Sequence, residues 1–247
     1  MPLPRAVLRN AVESWSRRAA VLALLVSAVL AGGCVNEAVL ARKADKARAA
    51  GNLQAEIDAM EQSARLFPGS YENQLRLGRL YLEAGKPLRA ETPLTLAHEI
   101  GYDWEDRRLA SADALAEAYY RQGAEEDLAR FVRSESQQFG TVPDYLRDGE
   151  YMARIGDHDA AAGAFEKASY FANPLDPEPH LARGRFFESI SDRESATIAY
   201  RHAYTVAPDS VEAREALRGL GLVPGPTLLL EPPRPVVEVQ AEPAPES

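Results

Sequence analysis

The sequence predicts an all-α protein, an α-solenoid of about five helical hairpins closed by a C-terminal capping helix. Two observations point there. Residues suited to a helix–helix turn recur at Gly51, Gly85, Gly123, Gly156 and, in the fifth equivalent place, Ser191, at spacings of 34, 38, 33 and 35 residues. Around them a pattern of small and large side chains repeats: Gly149, Met152, Gly156, Ala161, Phe165 and Ala168 are followed 35 residues later by Gly184, Phe187, Ser191, Ala196, Tyr200 and Ala203. A unit of this length buries its apolar face by stacking on its neighbours.

The chain opens on Arg5, Arg9, Arg17 and Arg18, then an uncharged run from Ala19 to Ala31 and Gly32-Gly33-Cys34. A positive start, a short apolar core and small residues before a cut site make a secretory signal. The run is shorter than the roughly 20 residues of a transmembrane helix. Leu30-Ala31-Gly32-Gly33-Cys34 resembles the lipobox of bacterial lipoproteins, although Ala31 stands where a large aliphatic residue is usual. That resemblance implies residues 1–33 as a leader, acylation of Cys34 and anchorage facing the periplasm. Val35, in place of an inner-membrane retention aspartate, leans toward the outer membrane. Cys34 is the only cysteine, which leaves no intramolecular disulfide and no thiolate zinc cluster.

Residues 34–219 hold the hairpins. The first helix, Glu37 to Ala49, carries Arg42, Lys43, Lys46 and Arg48 and reads as a solvated face, with Ala44 and Ala47 where later units have glycine and tyrosine. Such a departure suits a terminal, capping unit. In the second unit Leu77 and Tyr81 share one helical face, Gly78 admits a close helix, Gly85 ends the helix, and Ala90, Leu94 and Ala97 continue the pattern on the next. Pro87 suits a first turn, whereas Pro93 predicts a kink. Four extra residues within Gly101–Arg107 separate this unit from the third, which has Leu115, Tyr119, Gly123, Leu128 and Val132. A last helix spans about Ser210 to Arg218. Residues 220–247 are rich in proline and predict an extended or disordered tail.

The period, with its G-x2-Y…A-x3-F…P pattern, resembles the tetratricopeptide repeat over residues 36–208. In that family the first helices line a concave groove that binds peptides. Carried onto this sequence, the groove would present Arg76, Arg79, Tyr120, Arg121, Arg147, Arg154 and Arg185 among Glu72, Glu83, Asp113, Glu117, Glu150, Glu178 and Glu188. The family's Lys/Asn clamp for a C-terminal carboxylate is not matched, since Ala41 and Asp45 hold its places.

A formal charge of −9 opposes a nucleic-acid partner, which needs a basic face. His98, His158, His180 and His202 form no closely spaced metal pair, and neither a nucleophile elbow nor a phosphate loop occurs. The expectation is a scaffold without cofactor, metal or small-molecule substrate, holding a protein or peptide in its groove and the membrane through Cys34. Its expected task is assembly or localisation of an envelope complex such as pilus, secretion or outer-membrane machinery. An envelope hydrolase or its accessory subunit, or a cytosolic adaptor if residues 1–33 are not a signal, are the alternatives.

Overall fold

The structure, a computed structural model, describes residues 36–230. The leader, Cys34 and residues 231–247 lie outside the described residues. Within them there are eleven α-helices and no strand. Five antiparallel hairpins follow one another: α1 (Glu37–Ala49) with α2 (Leu53–Leu66), α3 (Tyr71–Glu83) with α4 (Pro87–Gly101), α5 (Glu105–Gln122) with α6 (Glu125–Phe139), α7 (Val142–Arg154) with α8 (His158–Tyr170), and α9 (Glu178–Ser189) with α10 (Arg193–Val206). Helix α11 (Val211–Gly219) closes the stack.

One local device makes every hairpin turn. Gly51, Gly85, Gly123, Gly156 and Ser191 all have φ between 63° and 85°, the left-handed region. The amide after each reaches back five residues to a carbonyl of the first helix: Asn52 to Ala47, Lys86 to Tyr81, Ala124 to Tyr119, Asp157 to Met152 and Asp192 to Phe187, at 2.8–3.1 Å. This wrap satisfies carbonyls that the helix end leaves free. In three turns the next residue then caps the second helix, as Asn52, Asp157 and Asp192 accept from the amides of Ala55, Ala160 and Ser195.

The hairpins close on a pair of positions sixteen residues apart. Gly78 faces Leu94, Gly149 faces Phe165 and Gly184 faces Tyr200. A Cβ on Gly78 or Gly184 would lie 2.3 or 2.4 Å from the facing side chain, closer than any real contact. The same spacing joins Ala44 to Met60 and Ala116 to Val132, all buried. Where the first helix has glycine the second carries a leucine or an aromatic; where it has alanine, a methionine or a valine. Leu77, Tyr81, Ala90, Leu94 and Ala97 are all buried, as their spacing predicts.

Pro93 is buried inside α4, which continues past it to Gly101. The structure departs from the sequence expectation at the tail. The tail has no α-helix after Gly219 but is docked as far as 230: Gly221 (φ 76°) repeats the left-handed turn, and the amide of Leu222 donates to the Leu217 carbonyl at 2.9 Å. A 3-10 turn, Pro226–Leu228, then lies on α10, where Arg201 Nε donates to the Leu228 carbonyl at 3.0 Å and the Leu230 amide to Thr205 Oγ1 at 2.9 Å. Proline prevents a helix here, yet Leu222 and Leu228 still find the core and cover the last hairpin.

The four extra residues become one more helical turn. First helices are 12 or 13 residues long except α5, which has 18. The added turn, Glu105 to Arg108, carries Arg108 into the junction of α5, α6 and α7, where it is 2% exposed. Its guanidinium donates to Glu135 Oε2 and Asp144 Oδ1 at 2.8 Å and to Asp144 Oδ2 at 2.9 Å, and lies 3.7 Å over the Phe139 ring. Thr141 Oγ1 and Arg147 NH1 also donate to Asp144, and His98 Nε2 lies 3.4 Å from Glu135. This network joins two apolar clusters, one spanning Ala44–Ala118 and the other Ala116–Leu220.

Candidate functional site: the face of the first helices

Successive first helices touch, α3 with α5, α5 with α7 and α7 with α9, while the second helices make no comparable contacts with one another. The stack therefore curves with the first helices on its inner side. Three hollows lie along that side. One of about 440 Å³ has an apolar floor of Leu146, Ala153, Phe165, Ala182 and Phe186 and a rim of Glu150, Arg154, Glu178 and Arg185. A second, of about 420 Å³, is lined by Arg79, Leu82, Glu83, Asp113, Glu117, Arg121 and Tyr151. A third, of about 300 Å³, lies between them and includes Arg147.

The seven residues read as groove-facing fall into three conditions. Arg79 is exposed and donates to the Ala110 carbonyl at 3.3 Å, its one hydrogen bond among the described residues, and Tyr120 is 39% exposed. Arg121, Arg154, Arg185 and Arg76 are tied to carboxylates. Arg121 and Arg154 share Glu117 at 2.6 and 3.1 Å, Arg185 bridges Glu178 and Glu212, and Arg76 spans Asp45 and the buried Glu56. Arg147 borders a hollow but is only 4% exposed, held by Asp113 at 2.6 Å and Asp144 at 2.9 Å. Reversing Arg147 would set a carboxylate against buried Asp144, so it is a stability residue rather than a clean probe of binding.

Glu117 organises the middle of the face. Burial alone would raise its carboxyl, but Arg121, the Tyr151 hydroxyl and Arg154 outweigh burial and hold it below the usual range. Burial and the Glu117 charge together push the Tyr151 hydroxyl well above its ordinary value. Arg154 lies 5.4 and 4.9 Å over the Tyr120 and Tyr151 rings, so the cation is fixed by two aromatics and two carboxylates. The result is a preformed strip of alternating charge around apolar hollows.

Sequence reasoning missed Arg108, Glu135 and Asp144. The signal was the 38-residue spacing from Gly85 to Gly123, which marks extra chain where the network forms. Among the described residues no group of three His, Cys, Asp or Glu side chains is placed to hold a metal, and no helix is long and apolar enough to cross a membrane.

The outer side holds a separate cluster. His180 and His202 stack at 5.6 Å beside Arg183 and Glu166. Burial first, then His202 and Arg183, push the His180 pKa down to about 4 against the weaker pull of Asp176. The unfolded chain binds a proton below about pH 6.5 that the folded chain refuses, so this contribution is complete above pH 6.5 and lost on acidification toward pH 4. The loss should reach about 2 kcal/mol by pH 5. Urea unfolding of the wild type and His180→Leu at pH 7 and 5 checks this. The wild type should lose more stability than the variant, and equal losses would rule it out.

No model of a known protein family matches the chain, and no curated protein does. Solved structures do. A crystal structure of MamA superposes with a TM-score of 0.51 at 20% identity, covering 77% of this chain and 98% of that one. A tetratricopeptide repeat protein from Parabacteroides merdae ATCC 43184 matches at 16% identity over 89% of this chain and 85% of its own, with a TM-score of 0.49. A thermophilic TPR protein from Thermus thermophilus matches at 20% identity over 75% and 98%, with a TM-score of 0.46. The repeated turn, the paired positions sixteen residues apart and the MamA superposition give one conclusion: the chain has the tetratricopeptide-repeat fold.

Proposed function

We propose that this chain is a non-enzymatic scaffold, lipid-anchored through Cys34 and facing the periplasm, that holds a protein or peptide partner on the face of its first helices. The carrying observation is the hollow between α7 and α9, an apolar floor of Leu146, Phe165 and Phe186 ringed by Glu150, Arg154, Glu178 and Arg185. Such a surface suits an apolar side chain from a partner with charges of both signs beside it. Burying that side chain supplies affinity, and the fixed charges set orientation. Most of the arginines already have carboxylates, so a purely anionic ligand gains little from them. The task that fits is assembly or localisation of a cell-envelope complex at the outer membrane.

Photo-crosslinking in cells tests the groove. A crosslinker at Tyr120 or Arg79 should yield a discrete adduct, and one at exposed Ile198 on α10 should not. Adducts from Ile198 alone would place the partner on the outer face. Mass spectrometry tests the anchor: residue 34 should carry lipid, and Cys34→Ser should release the protein from membranes. An unmodified Cys34 at the mature N-terminus would refute anchorage and leave the crosslinking result standing.

A further inference from the structure

The two edges of the stack differ in a way that the groove does not explain. One edge carries the turns at Gly51, Gly85, Gly123, Gly156 and Ser191. The other carries the start of α1 and the connections between hairpins. Contacts link one repeat to the next along this second edge. Ser70 Oγ and Asn73 Nδ2 donate to Glu37 Oε1 at 2.6 and 2.8 Å, joining the starts of α1 and α3. Tyr71 OH donates to the Arg107 carbonyl at 2.8 Å, and the Arg107 guanidinium lies 5.3 Å over Trp104. Tyr102 packs 5.3 Å from Phe139 at the end of α6, and Tyr145 on α7 stacks 5.7 Å from Phe171.

This edge exposes Tyr102, Trp104, Tyr170, Phe171 and Leu175, with Trp104 at 56%, Phe171 at 54% and Leu175 at 81%. Among the described residues only one other exposed aromatic exists, Tyr120 in the groove. The turn edge exposes Leu88 and Ile190 but no aromatic. Aromatic side chains gathered on one side are unfavourable to leave in water and are the residues that settle at a bilayer's headgroup level.

Covalent reach then selects the occupant. Cys34 is two residues from Asn36, the N-cap of α1, so an acylated Cys34 lies within about 7 Å of this edge. A tether that short holds the first hairpin's end of this edge against the bilayer, and the aromatic residues continue along the same edge, at the connections after the second and fourth hairpins. We propose that the edge bearing Trp104, Phe171 and Leu175 is a membrane-facing surface that rests in the headgroup region of a zwitterionic bilayer beside the anchor. This rests on the lipid-anchored reading above.

Charge specifies the lipid. Asp103, Glu105 and Asp106 outnumber Arg107 among the exposed charges beside Trp104, so anionic headgroups would be repelled on balance. The basic residues of α1 begin at Arg42, about 9 Å along the helix from Asn36 and so about a Debye length away at physiological salt, and continue away from the edge. At 1.5 Å per residue Arg48 is about 18 Å from Asn36, and it pairs with Glu56 at 2.9 Å and Glu83 at 3.7 Å. Attachment through the edge is thus apolar and insensitive to salt. With the edge down, the helices stand away from the bilayer and the groove opens sideways along it.

The sequence supplies its own reporter. Its two tryptophans are Trp15 and Trp104, so removal of residues 1–33 leaves Trp104 alone. The processed protein purified from membranes is reconstituted on zwitterionic vesicles with plain or brominated acyl chains. Trp104 emission should shift to the blue and lose most of its intensity on the brominated vesicles, equally at low and high salt. Phe171→Ser with Leu175→Ser should restore at least half of the lost emission by freeing the edge. Identical emission on plain and brominated vesicles, with lipid on Cys34 confirmed by mass spectrometry, overturns the proposal and leaves the anchor intact. Full quenching in the double variant overturns the shared edge, and an unmodified Cys34 overturns anchor and edge together.

Discussion

Arg108→Met is expected to lower the stability of the folded chain by about 3–5 kcal/mol. The guanidinium satisfies Glu135 and Asp144, which are 4% and 0% exposed, and its loss leaves two carboxylates in the core without a cation between them. Burial by itself would raise both carboxyls. Instead His98 and Arg108 hold Glu135 below its ordinary value, and Arg108, Thr141 and Arg147 do the same for Asp144. Groups depressed in this way contribute stability above their unfolded values and lose it as pH falls through the folded ones. Without Arg108 the carboxyls rise, so the deficit of the variant should shrink toward pH 4, where protonation relieves the buried charge. Urea unfolding of wild type and Arg108→Met at pH 7 and pH 4 measures both effects. A deficit below about 1 kcal/mol at pH 7, or one that grows on acidification, would contradict this account. Hydrogen exchange should locate the damage where the two apolar clusters meet, loosening α5 to α7 first.

Gly78→Leu should cost about 1–3 kcal/mol by overpacking, and more if the hairpin cannot spread. The added Cβ alone would sit 2.3 Å from Leu94 Cγ, so even the smallest side chain forces Leu94 or the two helices to shift. Gly163 offers the matched control. It too lies within a helix, α8, but nothing comes within 4 Å of a Cβ built on it. Gly163→Ala should therefore be neutral or stabilising by up to about 1 kcal/mol from helix propensity. Calorimetry on the two variants separates close packing from glycine as such. Because each hairpin is held by its neighbours, exchange in Gly78→Leu should rise in α1 to α6 before α9 to α11. A rise confined to the last hairpins, or equal losses in both variants, would refute the pairing.

The hairpin is written in the chain alone. The left-handed turn residue, the cap that follows it and the paired positions sixteen residues apart all act within one repeat, a span of about 35 residues. Such contacts leave a periodic trace that spacing reveals, down to the start and end of α1. The joints between hairpins are settled only in the finished stack. Arg108 meets Glu135 and Asp144 across 27 and 36 residues, and only after four unpatterned residues become a turn of α5. Arg147 and Arg76 both lie nine residues before a turn glycine, yet Arg147 is buried against Asp113 and Asp144 while Arg76 stays partly exposed between Asp45 and Glu56, because the carboxylates offered by neighbouring helices differ. The docking of residues 220–230 is likewise irregular in sequence, since it depends on leucines meeting a surface that only the finished stack presents. Periodicity records what each unit repeats; ion pairs and docked segments arise where the repeats differ, and there the deciding contacts are non-local.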